Sequence, residues 1–232
     1  MPDTQNKTGS VINEPIACVI PAYNEEQHIG AVLDVLCNTS ELSEIIVVDD
    51  CSTDTTQNVV KSYLQGDPRV RMLCTPQNSG KGGAMVLGAN AAKSDLLLFL
   101  DADLVRLKRE HILSLVEPIT MDSTSMTIGL FTQGRFQTDW AHKLTPYLSG
   151  QRCLRWSLFK DAPDIDGARY GVEVALNLHA WHHRYKIRYI SWPGVTHMMK
   201  PEKYGGLRGA NSYLTMYLEI AKYVVRHMGR SS

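Results

Sequence analysis

Over its first hundred residues the chain alternates short apolar runs with helical patterns, and each run ends in a polar cluster. Ile16-Ala17-Cys18-Val19-Ile20, Glu44 to Val48, Val70 to Cys74 and Asp95 to Leu100 read as strands. They are nearly continuous in apolar residues, as strands covered on both faces are. Between them, Ile29, Val32, Leu33 and Leu36 recur at helical spacing, as do Val59, Val60, Tyr63 and Leu64. Lys81 to Ala92 reads as a small-residue helix entered through glycines. Such alternation with short connections implies right-handed strand–helix–strand units. The expected class is α/β, with a Rossmann-like, mostly parallel central sheet flanked by helices. Ligands of such sheets bind beyond the carboxyl ends of the strands.

The polar clusters lie at those ends. Pro21-Ala22-Tyr23-Asn24-Glu25-Glu26 follows the first strand; the proline restricts the backbone, Tyr23 offers a stacking or packing surface, and Asn24 is placed to cap the next helix. Asp49-Asp50-Cys51-Ser52-Thr53-Asp54 follows the second. One carboxylate there could accept from a base N–H or a ribose hydroxyl, while Ser52 or Thr53 caps a helix. Asn78-Ser79-Gly80-Lys81-Gly82-Gly83 follows the third and exposes backbone N–H groups at a helix N-terminus beside one ammonium, an anion cradle. It is not a Walker A loop. Asp101-Ala102-Asp103 follows the fourth. Side chains two apart on an extended segment point the same way, so both carboxylates are placed to share one hard divalent cation, Mg2+ or Mn2+.

The second half is less regular. Met126 to Thr132 reads as a strand, Tyr170 to Trp181 as a helix and Ile187 to Ile190 as a strand. Leu214, Tyr217, Leu218, Ala221 and Val225 mark one face of a last helix, with basic residues beside it. That helix could dock on the core, seat on a membrane surface or pair with a second subunit. The formal net charge of zero hides an asymmetry: residues 1–139 hold 10 Lys+Arg against 18 Asp+Glu, and residues 140–232 hold 14 against 6. A basic second half suits an anionic partner. Five cysteines without metal-ligand spacing read as reduced thiols, which places the chain in the cytoplasm. No apolar run approaches bilayer-spanning length, and no signal peptide is apparent.

In this order and spacing, VIPAYNEE, VVDDCSTD, NSGKGG and LFLDAD resemble the donor-binding half of family 2 glycosyltransferases with the GT-A fold. The resemblance is densest over residues 16–105, extends loosely to about residue 200, and lies nearest the soluble branch of polyprenyl- or dolichyl-phosphate sugar transferases and glucosyl-3-phosphoglycerate synthases. It implies a disordered stretch 1–14, a nucleotide-sugar half 15–105, an acceptor half 106–205 and a C-terminal helix 206–232. Pro21, Ala22, Tyr23, Glu25 and Ser52 would line the nucleoside pocket, Asp50 would contact the base, and Gly80 and Lys81 would approach base or phosphates. Asp101, Ala102 and Asp103 would serve ribose and metal, with His197 of Val195-Thr196-His197 as a further metal ligand. Where the family often has glycine after the second aspartate, this chain has Cys51. Gly150, Gln151 and Arg152, in Ser149-Gly150-Gln151-Arg152, match the loop framing the acceptor, with Arg152 holding an anionic group. Tyr170-Gly171-Val172-Glu173 matches the motif that opens the acceptor-side helix, although Arg169 stands where a glycine is usual. Glu173 would be the general base, or an orienting group if the acceptor is already an anionic phosphate.

The implied activity is inverting, metal-dependent transfer of a sugar from a UDP- or GDP-sugar to an anionic acceptor such as polyprenyl phosphate or a small phosphorylated acid. Expected partners are the donor and the acceptor, with a peripheral contact at the inner membrane surface or a homodimer open for the last helix, and no nucleic acid. The rival enzyme class is a nucleotidyltransferase making nucleotide sugars, whose glycine- and arginine-rich first loop is here replaced by Pro-Ala-Tyr-Asn-Glu. A non-catalytic binding module and a dinucleotide dehydrogenase fit less well; no GxGxxG follows the first strand.

Overall fold

The computed structural model describes residues 12–132, 149–163, 165 and 171–197. The expectations on residues 1–11, Tyr170 and the last helix lie outside the described residues. Nine strands and six helices occur among the described residues. In order they are β1 Ile16–Ala22, α1 Ile29–Cys37, β2 Leu42–Asp49, α2 Thr56–Leu64, β3 Val70–Cys74, α3 Gly80–Ala91 and β4 Leu96–Phe99. Then come β5 Leu104–Val105, α4 Arg109–Met121, β6 Met126–Phe131, β7 Arg152–Arg155, α5 Trp156–Asp161, α6 Val172–His182, β8 Ile187–Trp192 and β9 Thr196–His197.

Seven strands form one sheet in the order β3-β2-β1-β4-β7-β6-β8, and β5 pairs with β9 apart from it. β7 runs antiparallel to both β4 and β6, while the other pairings in the sheet are parallel. Successive residues of the central strands feed opposite faces, which is why these segments are apolar throughout. Ile16, Cys18 and Ile20 pack with Ile29, Val32, Leu33 and Leu36 of α1 and with Ile112, Leu115 and Val116 of α4. Ala17 and Val19 pack with Ala84, Met85 and Ala89 of α3 and with Val172, Leu176 and Ala180 of α6. The result is three layers, helices covering both faces of the sheet. α3 approaches closest: a Cβ on Gly88 would lie 2.9 Å from Val48 Cγ2 and nearer still to Val19. Small residues on this helix are therefore what brings its first turn down onto the strand ends.

β7 arises where the sequence reads as an acceptor loop, and α4 and α5 fill stretches without a sequence expectation. The helix caps also differ. α2 follows Thr55, α1 follows His28, and neither end has a side-chain cap, so Thr53 and Asn24 do not cap these helices. All five cysteines are free. Among the described residues no helix is long and apolar enough to cross a membrane.

Candidate active site

The parallel strands β1, β2, β3 and β4 deliver their polar clusters to one end of the sheet, where the loops bind one another. Asn24 has a left-handed backbone, φ 56°, which asparagine tolerates. Its amide donates to Ser52 Oγ at 2.9 Å, and its Oδ1 accepts from the Thr53 amide at 2.8 Å. The Glu25 amide donates to Thr56 Oγ1 at 2.7 Å, and the Thr55 amide to Glu26 Oε2 at 2.8 Å. Cys51 also has a positive φ, 64°, and its thiol donates to the Thr75 carbonyl at 3.3 Å. That backbone explains a preference for glycine at the position.

Asp50 joins the second loop to the third. Its carboxylate is 3% exposed and accepts from Thr75 Oγ1 at 2.7 Å, the Ser79 amide at 2.8 Å and the Gly80 amide at 2.7 Å. An anion at the start of α3 is favoured by the helix dipole. These bonds fix the Asp50 carboxylate between the loops, and its roughly four acceptor sites leave room at Oδ2 for a further donor such as a base N–H. Of the first cluster, Ala22 and Glu25 are buried, Pro21 is half-buried, and Tyr23 is 41% exposed at the surface.

Lys81, in the first turn of α3, stands between two carboxylates. Its Nζ lies 2.6 Å from Asp101 Oδ1 and 2.6 Å from Glu173 Oε1. Gln151 Nε2 donates to the other oxygen of Asp101 at 2.6 Å. Burial works against the charge on Lys81, but Asp101 and Glu173 outweigh it and hold its pKa above the ordinary lysine range. Burial likewise opposes the charge on Asp101, while Lys81, Gln151 and His197 hold its pKa below the ordinary aspartate range. Glu173 is 5% exposed and sits in the first turn of α6. A buried carboxylate such as Glu173 needs a charged partner, and Lys81 supplies one to it and to the quarter-exposed Asp101.

Gly150 closes the floor of the cluster: a Cβ there would lie 2.5 and 2.6 Å from the Asp101 oxygens and closer to Lys81 Nζ. Gln151 and Arg152, expected to touch an acceptor, are each 0% exposed. Arg152 donates to the Ser149 carbonyl at 2.6 Å and to Asn177 Oδ1 at 3.4 Å. Both side chains thus reach into the interior, among Asp101, Ser149 and Asn177. β7 belongs to the sheet's core, so its first residues cannot face solvent. Gln151 was legible only as a polar residue; its bond to Asp101 depends on the β4–β7 pairing, which no local pattern signals.

Asp103 is half-buried, and Leu104 beside it pairs with His197 across β5 and β9. His197 is exposed, with its ring 5.5 Å from that of Phe131. The β5–β9 pairing thus places His197 beside the segment that follows Asp101-Ala102-Asp103. Carboxylate oxygens suit Mg2+ and Mn2+, and imidazole suits Mn2+. Among the described residues no three His, Cys, Asp or Glu side chains are gathered as a ready ligand shell. The residues fit a cation that draws its remaining ligands from water and substrate phosphate.

A layered α/β sheet with paired aspartates, an ammonium and a second carboxylate at its strand ends defines the GT-A class. Structures of glucosyl-3-phosphoglycerate synthase from Mycobacterium tuberculosis superimpose with a TM-score of 0.69 at 23% identity, covering 90% of this chain and 81% of that one. The family profile described as Glycosyl transferase family 2 matches residues 17–171. The chain belongs to glycosyl transferase family 2. Curated relatives include a dolichyl-phosphate beta-glucosyltransferase of Trichomonas vaginalis, 38% identical over 94 residues, which are 37% of this chain and 28% of that protein. The Mus musculus dolichyl-phosphate beta-glucosyltransferase is 35% identical over 99 residues, 38% of this chain and 31% of that protein. The match thus spans about three tenths of the length of these relatives.

Proposed function

We propose that the chain is an inverting, metal-dependent hexosyltransferase that moves a sugar from a UDP- or GDP-sugar to an anionic acceptor. The observation that carries this reading is the Lys81 bridge, which holds the aspartate motif and a buried second carboxylate 2.6 Å from one ammonium. The relatives' names specify dolichyl phosphate as acceptor, and the synthase was solved with Mn2+, UDP-glucose and phosphoglyceric acid. Both acceptors are anions, in keeping with the basic second half of this chain.

Tyr23 and the first loop line the nucleoside side, and Gly80 and Lys81 face the diphosphate. Asp101, Asp103 and His197 would hold a divalent cation, which would supply neutralisation of the departing nucleoside diphosphate. Gln151 fixes the Asp101 carboxylate through its 2.6 Å bond. Glu173 takes the proton from an attacking hydroxyl, or orients the acceptor when the attacking oxygen belongs to a phosphate. Attack from the face opposite the leaving group inverts the anomeric centre, through an oxocarbenium-like transition state.

A screen of UDP- and GDP-hexoses against polyprenyl phosphate and small phosphorylated acids, with Mg2+ or Mn2+ or with EDTA, tests the reading. Metal-dependent transfer to an anionic acceptor is expected. With a hydroxyl acceptor, Glu173→Gln should lower turnover by about 10²–10⁴-fold while leaving donor affinity within a small factor. Release of pyrophosphate from a nucleoside triphosphate and sugar phosphate, without sugar transfer, would overturn it.

A further inference from the structure

The far end of α6 and the start of β8 form a second surface, at the opposite end of α6 from Glu173. Trp181 is 77% exposed and Tyr189 48%. Trp181, Arg184 and Tyr185 border a depression of about 430 Å³ with His182 and Ile187. No aspartate or glutamate occurs from Val174 to Met199. From neighbouring elements, Asp122 pairs with Arg188 at 2.8 Å, and Asp161 acts on the buried His179. Arg184 and Lys186 are exposed and form no ion pair among the described residues.

The backbone fixes where Arg184 stands. The Arg184 amide donates to the Trp181 carbonyl at 3.1 Å and the Tyr185 amide to the Ala180 carbonyl at 2.8 Å. This is the Schellman closure of a helix, whose left-handed position is ordinarily glycine. Here Arg184 occupies it at φ 56°. The closure accounts for the left-handed turn and holds the exposed Arg184 at the same helix end as the exposed Trp181.

We propose that this edge, presenting Trp181, Tyr185 and Tyr189 with Arg184 and Lys186, docks the protein peripherally on an anionic lipid bilayer. Indole and phenol rings settle at the headgroup level, and the adjacent cations meet anionic lipid. β8 is the last strand of the sheet, so the contact runs along the side of the molecule. Along α6, Trp181 lies about 12 Å from Glu173 at 1.5 Å per residue, which leaves the strand ends uncovered. Two unpaired cations are too few for the run of phosphate contacts that holds a nucleic acid. The inference does not depend on sugar transfer.

Cosedimentation of the full chain with phosphatidylcholine vesicles, with and without phosphatidylglycerol, is the test. Binding is expected only to the phosphatidylglycerol vesicles, with a blue shift of tryptophan emission that Trp181→Ser abolishes. Arg184→Gly with Lys186→Ser should weaken binding about thirtyfold, roughly fivefold per cation. Because glycine suits a positive φ, Arg184→Gly alone should melt no lower than the parent, which separates lost docking from lost folding. The proposal is overturned if the parent ignores anionic vesicles, if the variants bind as well as the parent, or if a single-stranded oligonucleotide is bound while vesicles are not.

Discussion

Gly150→Ala isolates the packing of the Lys81–Asp101–Glu173 cluster from every other property of its loop. Gly150 is not among the residues with positive φ, so alanine meets no backbone strain there. Its Cβ, however, would lie 2.5 and 2.6 Å from the two Asp101 oxygens, where ordinary contact begins at 3.4 Å. The carboxylate must therefore recede by roughly 0.9 Å. Both its oxygens are already engaged, by Lys81 at 2.6 Å and Gln151 at 2.6 Å. A retreat of that size takes both bonds outside hydrogen-bonding range. Bonds to charged groups contribute about 1.5–3 kcal/mol each. Side-chain exposures of 25% for Lys81 and 26% for Asp101 let water offset part of the loss. The expected destabilisation is about 2–4 kcal/mol, a fall in Tm of roughly 5–15 °C by scanning calorimetry at neutral pH. Introduced together with Lys81→Met, the same alanine should cost less, with a coupling of about 1–3 kcal/mol, because Asp101 is then free to turn. An unchanged Tm, or strict additivity of the two substitutions, would refute the close-packed cluster.

Three further expectations follow from the same geometry. Asp50→Asn places an amide NH2 against the donors at the start of α3 and should cost about 2–4 kcal/mol in urea unfolding; unchanged stability would refute its role in holding the loops together. Gly88→Ala overpacks α3 against Val19 and Val48 and should destabilise by about 1–3 kcal/mol, so a neutral result would mean that helix and sheet are less close than described. Arg69 donates to the carbonyls of Cys37, Thr39 and Leu42, and its bond to Asp67 holds that carboxyl below its ordinary pKa of 3.8. A depressed folded pKa gives stability that is full above the unfolded value and lost as pH falls through the folded one. The stability difference between parent and Arg69→Met should therefore be flat from neutral pH down to about pH 5 and shrink below pH 4; a difference that grows on acidification would contradict the pairing.

β1 to β4 and α1 to α3 were legible because their cause is local. A strand buried on both faces shows as an apolar run, and a one-sided helix shows as a 3.6-residue rhythm. α4 carries that rhythm in Ile112, Leu115, Val116 and Ile119, but Pro118 interrupts it as a helix breaker would. β7 begins and ends on arginine, and its place between β4 and β6 follows from long-range pairing alone. The candidate site divides in the same way. Sequence order located every cluster at a strand end and named the acids and the lysine, yet it could not say which polar groups face a ligand. Asp50, Gln151 and Arg152 have side chains of the binding type and are turned inward, while Tyr23 and His197 remain exposed. The division has a physical reason. Charged groups that must meet a polyanion without rearranging have to be fixed beforehand by neighbours whose own bonds are satisfied. A strand-end motif therefore contains two populations, one touching substrate and one holding the first in place. The inward residues are those whose loss should lower stability together with activity, and Glu173, buried yet charged beside Lys81, is where the two populations meet.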